Sequence, residues 1–408
     1  MLKVLQYVSI GIILFFTSLA PVAYATSVKS KSSKGKTATK RKSKPAPFKP
    51  KLDAYAAYMI DEKYIIGKKD MDQVLPIASV SKVFTTQWAL AVLGPDYRFH
   101  VNVYMTPRNN KPGVWNVHLS SDHHPYFDKT LFYKIAEYLV SRGIKNVETM
   151  TFDEGVRFVW DAESKCAVAC DHPLGFPTQD EVKNAFGVFK GKQLKIGTIR
   201  YWASRNADKV RGFRPIKNLT QQANFYSDPM VDVLHRMNAN SNNHAANQIF
   251  YRLGGKPAYA QFSAKTFSFK PGQLVLNNGS GNPVSRDGHK YYNRATSAVV
   301  VQAIAYIHAF MKYHGGITRV LALAAPDENN TLGAYSVRTV LQDKLVAKTG
   351  SVFEAITLAG VLSTKRGPMA FYFNIDTNSK RDWRSARSEI RAYLTGIIEY
   401  LGPGPDIK

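Results

Sequence analysis

The chain has 408 residues, of which 45% are hydrophobic and 12% aromatic, a composition that excludes wholesale disorder. Its length suits a large core and about two domains. The formal net charge is +25, and such an excess favours a polyanionic partner: nucleic acid, an anionic lipid surface or an acidic wall polymer.

The first 25 residues are predicted to be a secretory signal peptide. Lys3 precedes an apolar run over residues 4–22, which is followed by Ala23-Tyr24-Ala25. A positive start, an apolar stretch and a small-x-small site predict cleavage after Ala25. The alternative is an uncleaved membrane anchor, because an apolar run of this length just spans a bilayer. We therefore expect a periplasmic protein, and export excludes nucleic acid as the expected partner.

Residues 26–51 are predicted to be a disordered basic linker. The segment holds ten Lys or Arg residues and no Asp or Glu. Without apolar periodicity it cannot bury enough surface to offset its chain entropy. One interpretation is a solvated spacer, and the other is a polybasic arm that binds an anionic wall or membrane surface.

The folded part is predicted to begin near Leu52 with two strands and a helix. The strands are Ala54–Ile60 and Lys63–Lys68. The helix runs from about Ser79 to Leu93, and its apolar positions predict a core face that excludes Ser79 and Lys82.

Residues 96–201 are predicted to alternate between strands and a helix. The predicted strands are Val101–Met105, Val114–Leu119, Val147–Phe152 and a stretch within Gln193–Tyr201, and the amphipathic helix is Lys129–Ser141. Their order indicates a strand–helix–strand unit.

Two clusters in this part raise the question of a metal site. Cys166 and Cys170 are predicted to form a small structural disulfide in an oxidising compartment. The alternative, a metal site with Asp171 and His172, needs two further ligands. Residues 122–124 (Asp-His-His) are predicted to be loop or surface positions, because neighbouring residues of a strand point to opposite faces and make poor co-ligands. No metal or cofactor is expected.

The C-terminal half is predicted to contain helices first and a strand pair and a helix last. The predicted helices are two between Asp232 and Leu253, stopped by Gly254-Gly255, then Ser297–Tyr313 and an amphipathic helix from Trp383 to Leu401. The predicted strands are Leu274–Leu276, Leu345–Ala347, Ile356–Leu362 and Met369–Ile375.

Three short motifs lie in this framework: SVSK at 79–82, SNN at 241–243 and KTG at 348–350. A serine and a lysine three residues apart on a helix share one face, which places an amine beside a hydroxyl nucleophile. Ser-x-x-Lys is expected roughly once or twice by chance in such a chain, and SKGK at 33–36 also fits. Lys-Thr-Gly is expected only about 0.1 times by chance and occurs once.

Together the three motifs resemble those of the penicillin-binding proteins and serine β-lactamases. The segments NGSG at 278–281, SR at 285–286 and LVAKTGS at 345–351 resemble the low-molecular-mass class C D-Ala-D-Ala carboxypeptidases and endopeptidases. The resemblance covers about residues 52–401, with Asn278 where the family usually has Asp. It implies an α/β (α+β) fold with an antiparallel sheet flanked by helices.

The resemblance also implies a domain organisation. A transpeptidase-like catalytic domain would comprise residues 52–95 and 230–408, and residues 96–229 would form a reduced α/β insert between the first and second motifs.

The chemistry that the resemblance implies is acyl transfer without a metal. Ser79 would attack the carbonyl between two D-alanines, with Lys82 as the base. Ser241 would relay a proton to the leaving amine, and Asn243 would hold the substrate amide. Lys348 would act as a nearby cation that lowers the pKa of Lys82.

The third motif would bind the substrate. Lys348 and Thr349 would bind the terminal carboxylate, and Gly350 lies beside them in the strand. The backbone N–H groups of Ser79 and Ser351 would form the oxyanion hole.

The expected substrates are peptidoglycan peptides, and the expected inhibitors are β-lactams. If the motifs were only a helix cap, a turn and a strand end, the alternative is a non-catalytic cell-wall-binding protein. A β-lactamase is the other alternative, and it would need a base for fast deacylation that no motif supplies. The residues leave open the balance between carboxypeptidase and endopeptidase activity.

Overall fold

The computed structural model describes residues 52–153, 155–157, 195–201, 220–267, 269–326, 328–336, 339–377 and 382–407. The predicted signal peptide, the basic linker and the predicted Cys166–Cys170 disulfide lie outside the described residues. Within the described ranges, every helix is too short or too polar to cross a membrane.

Strands and helices are interspersed along these ranges. The strands are β1 (Ala54–Met59), β2 (Tyr64–Lys69), β3 (Leu75–Pro76), β4 (His100–Pro107), β5 (Val114–Ser121), β6 (Asn146–Phe152), β7 (Lys195–Tyr201), β8 (Thr220–Tyr226), β9 (Leu274–Val275), β10 (Val284–Arg286), β11 (His289–Tyr291), β12 (Arg294–Ala295), β13 (Ala322–Leu323), β14 (Leu345–Val352), β15 (Ala355–Thr364) and β16 (Gly367–Asp376). The helices are α1 (Ser81–Val92), α2 (Lys129–Ser141), α3 (Met230–Ala239), α4 (Asn243–Arg252), α5 (Gly255–Phe267), α6 (Ser297–Met311), α7 (Gly333–Ser336) and α8 (Trp383–Leu401).

The main sheet is antiparallel throughout and has the strand order β13-β14-β15-β16-β1-β2. Strands β14 and β15 pair from Leu345 opposite Leu362 to Val352 opposite Ala355, so the KTG motif lies inside β14. The expected antiparallel sheet is therefore confirmed. Because β1 pairs with β16, the two ends of the folded part meet in one sheet.

Helices cover both faces of the main sheet. On β16, Ala370 and Tyr372 belong to a core that also contains residues of α1, α3, α4 and α6. Met369, Phe371 and Phe373 belong to a second core that contains the apolar stripe of α8. This alternation follows from the two-residue period of a strand, and it gives a helix–sheet–helix sandwich.

Helix α1 is an interior helix rather than a surface one. Every residue from Ser81 to Leu90 is buried, so the predicted one-sided core face is wrong. The reason is that α3, α4, α5 and α6 surround the helix. Trp88 packs edge-to-face on Phe250 at 5.6 Å and on Tyr259 at 5.1 Å between ring centroids.

A helix that the residue pattern did not predict follows the glycine pair. Gly254 has a φ of +102° and ends α4, as predicted, but α5 begins at Gly255. Pro257 lies in the first turn of α5, where a missing N–H costs nothing. The helix contributes Tyr259 to the core around Trp88, and this burial explains why the chain continues as a helix.

A second sheet lies between the first two motifs, with the strand order β7-β6-β5-β4-β8. The predicted strand–helix–strand unit is confirmed, because β5 and β6 pair in parallel and α2 connects them. Its core consists of residues from 101 to 156. The chain enters this sheet after Phe99 and leaves it before Ser227, and these two residues are neighbours: Ser227 N donates to Phe99 O at 2.8 Å, and Phe99 N donates to Ser227 Oγ at 2.9 Å.

Candidate active site

Ser79 lies in a strained 3-10 turn (Ala78–Val80) at the start of α1. Ala78 has a φ of +48°, a left-handed conformation that costs a residue with a Cβ about 1 kcal/mol or more. Neighbours hold this turn: Ile77 N donates to Asn293 O at 3.0 Å, and Thr357 Oγ1 donates to Ile77 O at 3.1 Å. The surrounding structure therefore fixes the position of the half-buried Ser79 side chain.

Lys82 lies one turn further and is fully buried. Its Nζ is 3.0 Å from Ser79 Oγ, 2.7 Å from Asn243 Oδ1 and 2.8 Å from the carbonyl oxygen of Ser280. All three oxygens can accept a hydrogen bond from Nζ, and the two carbonyl oxygens can only accept. When Lys82 is neutral, its two N–H groups can bind these carbonyl oxygens and its lone pair can take the proton of Ser79, as a general base requires.

The second motif forms the sharp connection between α3 and α4. Ser241 has a φ of +55°, and Asn242 caps α4 by accepting from Ala245 N at 2.9 Å. Asn243 is the first residue of α4, and its side chain reaches Lys82. The turn thus directs Ser241 and Asn243 toward the two lysines of the site.

Lys348 faces Ser241 from β14. Its Nζ donates to Ser241 Oγ at 3.0 Å and to the carbonyl oxygen of Thr349 at 2.8 Å. Burial lowers the pKa of Lys348 from 10.5 to about 7. Near neutral pH Lys348 is therefore partly charged and partly neutral. It also donates a hydrogen bond to Ser241, the serine that would pass a proton to the leaving amine.

The rest of the KTG strand presents hydroxyl groups on one face. Thr349 and Ser351 are half-buried, whereas Lys348 and Gly350 are buried. A Cβ on Gly350 would lie 2.2 Å from Thr357 Oγ1 and 3.1 Å from the Cβ of Ala78. Only glycine lets β14 come this close to the Ser79 turn.

The structure therefore brings together all the site residues that the motifs predicted. Ser79, Lys82 and Asn243 are linked by direct hydrogen bonds, and Lys348 contacts Ser241. Thr349, Gly350 and Ser351 follow Lys348 along the same strand. The SKGK match at 33–36 lies outside the described residues.

One supporting residue of the site, Asn293, lies outside the three motifs. It is fully buried, and its Nδ2 donates to Ser81 Oγ at 3.0 Å and to Asn278 O at 2.8 Å. Its Oδ1 accepts from Asn277 N at 2.7 Å. Asn293 thus ties the 277–281 loop to the start of α1. No local sequence signal distinguishes it from a surface asparagine.

The 278–281 loop supplies the carbonyl that Lys82 contacts. Asn278 Oδ1 accepts from Gly281 N at 2.8 Å, and its Nδ2 donates to Asn282 O at 2.8 Å. An amide can make both bonds, so the Asn that replaces the usual Asp still orders this loop. Gly281 has a φ of +89°, and a Cβ there would lie 1.9 Å from Ala78 O.

Residues 122–124 lie in the loop after β5, as predicted, but they are buried or half-buried rather than exposed at the surface. Burial lowers the pKa of His124 to about 4, and its Nδ1 accepts from Tyr126 N at 3.2 Å. Asp122 Oδ1 accepts from His100 N at 2.9 Å. In the described part of the chain, no group of three His, Cys, Asp or Glu residues could hold a metal ion.

A family model matches most of the chain. The D-Ala-D-Ala carboxypeptidase 3 (S13) family matches residues 49–165 and 209–396. No curated protein matches this chain at a significant level.

Solved structures of a peptidoglycan endopeptidase and of a penicillin-binding protein share the fold. The predatory peptidoglycan endopeptidase Bd3459 from Bdellovibrio bacteriovorus is 26% identical, with a TM-score of 0.72 over 88% of this chain and 96% of that chain. A penicillin G-acylated form of the same endopeptidase, in complex with an immunity protein, is 27% identical, with a TM-score of 0.69 over 88% of this chain and 94% of that chain. Penicillin-binding protein 4 from Haemophilus influenzae is 17% identical, with a TM-score of 0.63 over 86% of this chain and 96% of that chain, and it shows similarity of fold.

Proposed function

Because the chain belongs to the D-Ala-D-Ala carboxypeptidase 3 (S13) family, we propose that it is a serine DD-peptidase that cleaves peptidoglycan peptides through an acyl-enzyme at Ser79. The observation that carries this function is the position of Lys82 Nζ, 3.0 Å from Ser79 Oγ and held by two carbonyl oxygens. A non-catalytic wall-binding protein would not need a buried lysine in hydrogen-bond contact with a serine in a strained turn.

In the first step, the Oγ of Ser79 attacks the carbonyl carbon of the penultimate D-alanine while its proton passes to Lys82 Nζ. The oxyanion is stabilised by the N–H groups of Ser79 and Ser351, and each such donor contributes about 3 kcal/mol. The C–N bond then breaks, and the leaving nitrogen takes a proton from the hydroxyl of Ser241. Lys348 then donates a proton to Ser241. Asn243 holds both Lys82 and the substrate amide.

In the second step, water attacks the carbonyl carbon of the Ser79 ester, and its proton passes through Ser241 to Lys348, which lost one in the first step. The ester C–O bond then breaks, Ser79 Oγ takes back its proton from Lys82, and the shortened peptide leaves with a new carboxyl group. A β-lactam follows the first step in the same way, because opening its ring also makes an ester on Ser79. The β-lactam is therefore an inhibitor to the extent that water reaches this ester slowly.

We assign endopeptidase activity on cross-linked peptides as well as carboxypeptidase activity. The support is the 26% identity to the Bdellovibrio endopeptidase, over nearly the whole length of that enzyme. Both activities share the acyl step and differ only in the leaving amine.

Labelling with fluorescent penicillin tests the acyl-enzyme. We expect covalent label on the wild type and none on Ser79→Ala. Ser33→Ala is the matched control, because it removes the serine of the other Ser-x-x-Lys match, and it should label like the wild type. Equal labelling of the Ser79→Ala variant would disprove the assignment.

Digestion of purified wall fragments separates the activities. Release of D-alanine from pentapeptides reports carboxypeptidase activity, and loss of cross-linked dimers reports endopeptidase activity. Rapid and repeated turnover of a chromogenic cephalosporin, with neither peptide cleaved, would instead indicate a β-lactamase.

The proposed location is the periplasm, and its support is the order of residues 1–25: a lysine, an apolar run and Ala-x-Ala. Mass spectrometry of the mature protein tests it, because cleavage after Ala25 leaves Thr26 as the first residue. An intact N-terminus in the membrane fraction would favour the uncleaved anchor.

We also propose that residues 26–51 bind an anionic wall or membrane surface. Their ten basic residues and lack of acidic ones support this binding. Deletion of the segment should weaken binding to isolated sacculi at low salt and have little effect at high salt. Unchanged binding across the salt titration would leave the segment as a spacer.

A further inference from the structure

A cation that the motifs did not include lies beside the substrate-binding strand. Arg387 is on α8, and its Nη2 donates to Ser351 Oγ at 3.3 Å. It also hydrogen-bonds the side chain of Tyr335, which is buried. On either side of it along the helix, Ala386 and Ile390 are packed in the core, so the backbone that carries the guanidinium is fixed.

Arg387 reaches the face of β14 that carries hydroxyl groups. Thr349 and Ser351 lie two residues apart in a strand and therefore point to the same side. Thr349 Oγ1 donates to Thr331 Oγ1 at 2.9 Å. The half-buried face thus presents three hydroxyl groups, with Arg387 at the Ser351 end.

This arrangement suits a carboxylate. Hydroxyl groups donate single hydrogen bonds, and the planar guanidinium fork matches the two oxygens of a carboxylate. Arg387 is half-buried, so water screens its charge less than that of an exposed arginine. Among the residues that the structure describes, no carboxylate forms an ion pair with it.

The properties of Lys348 explain why a second cation is useful. Burial lowers the pKa of Lys348 to about 7, so its positive charge is only partly present at neutral pH. The guanidinium of an arginine, unlike the amine of a lysine, is effectively always charged in proteins. Arg387 can therefore attract a carboxylate at any pH near neutrality, and Lys348 can exchange a proton with Ser241.

We propose that Arg387, with the hydroxyl groups of Thr349 and Ser351, binds the carboxylate of the leaving D-amino acid and so determines specificity for substrates with a free carboxylate next to the scissile nitrogen. The proposal rests on the DD-peptidase function. Penicillin has its carboxylate on the carbon next to the lactam nitrogen, as D-Ala-D-Ala has next to the peptide nitrogen. The same contact then acts on substrate and inhibitor.

The test compares acylation of Ser79 by benzylpenicillin and by its methyl ester, which lacks the negative charge. We expect Arg387→Gln to slow acylation by benzylpenicillin about tenfold to a hundredfold, the loss of a hydrogen bond to a charged group. Acylation by the ester should be nearly unchanged. Arg387→Lys should recover part of the rate, because it keeps the charge without the planar fork.

Arg391→Gln is the matched control, because Arg391 is exposed one turn later on α8 and its loss changes the net charge equally. It should keep the wild-type preference for the free acid. A D-Ala-D-Ala peptide and its C-terminal amide provide the same comparison for hydrolysis, in which the change should appear in KM.

Two outcomes are distinguishable from a failure of the proposed function. Equal slowing of acid and ester by Arg387→Gln, without recovery in Arg387→Lys, would show that Arg387 only holds α8 on β14, and the proposal would be overturned. An unchanged preference would overturn it too. If the wild type is acylated by neither compound, the DD-peptidase function itself fails.

Discussion

Lys348 combines complete burial with two hydrogen bonds to neutral oxygens, and the described part of its surroundings offers no carboxylate partner. A charged lysine in such a place is costly, and it loses its proton more readily than a lysine in water. The same burial that makes Lys348 useful for proton transfer therefore makes the folded state depend on pH.

The direction of this dependence follows from the two pKa values. The pKa of Lys348 is about 7 in the folded protein and 10.5 as the ordinary value. Between these values the unfolded chain binds one more proton, so the free energy of unfolding rises with pH by up to about 1.4 kcal/mol per pH unit. We expect Lys348→Met to be more stable than the wild type, most strongly at pH 6, with a gap that closes toward pH 10.

Urea unfolding of both proteins at pH 6, 7, 8, 9 and 10 measures the gap. Lys365→Met is the control, because Lys365 is exposed and should give a flat difference. Parallel stability curves for Lys348→Met and the wild type would mean that Lys348 keeps its charge in the folded protein.

At the scale of elements, the site depends on how three separate pieces are tied to the first turn of α1. The 277–281 loop contacts Lys82 and Thr85 through its carbonyl groups, β14 approaches through Gly350, and the connection before α4 provides Asn243. Asn293 is the common tie between this loop and the helix, since its side chain bonds to Ser81 and to residues 277 and 278.

Asn293→Ala should therefore damage both stability and acylation. It removes four hydrogen bonds, one of them a long contact of 3.4 Å to Asn278 Oδ1, and leaves buried groups unpaired, which costs about 2–4 kcal/mol in the free energy of unfolding. The penicillin acylation rate should fall as well, because the loop carbonyl that Lys82 contacts loses its support. Urea unfolding and labelling kinetics measure the two effects.

The control variant is Asn109→Ala, at an exposed position between β4 and β5, which should change neither the free energy of unfolding nor the acylation rate. Equal behaviour of the Asn109→Ala and Asn293→Ala variants would refute the role of Asn293.

The elements differ in how well the residue pattern predicted them. Strands β15 and β16 and helix α8 are predictable because long apolar runs and a strong helical stripe leave little choice, whereas of β14 only the apolar start, Leu345–Ala347, is predicted and the strand runs on to Val352. Helix α1 was predicted as a helix but not as an interior one, since burial on all sides depends on neighbours that are distant in sequence. For the same reason the motifs led to Ser79, Lys82 and Lys348, whereas Asn293 and Arg387 have roles that only the folded arrangement reveals.

At the scale of the whole molecule, the sheet between the first two motifs is a largely separate unit. Its core contains residues from 101 to 156, and Tyr126 is the one residue between 100 and 226 in the described catalytic cores. Besides the burial of Tyr126 in this core, the contacts across include polar ones: Arg236 lies over the ring of Tyr126 at 4.3 Å, His123 contacts Gln248 at 3.3 Å, and Asp122 accepts from Tyr97 Oη and lies 3.6 Å from Arg252. The domain boundaries at 96–229 remain a prediction that deletion can test.

Replacing residues 100–226 with an Asn-Gly turn should leave a protein that still folds and is acylated by penicillin. Phe99 and Ser227 already face each other across two hydrogen bonds, so a two-residue turn can join them without moving either end. We expect acylation within about tenfold of the wild type, because no residue of the proposed acyl-transfer site lies in the deleted part. The remaining residues, 52–99 and 227–408, number about 230, so the melting temperature should fall by about 2–4 °C for each kcal/mol of lost contact. Thermal melting and labelling kinetics measure both, with Ser79→Ala in the shortened protein as the control for specific label. A shortened protein that melts as one cooperative unit but takes no label would show that the insert helps to form the catalytic site, and failure to fold would show that the two units share one folding core.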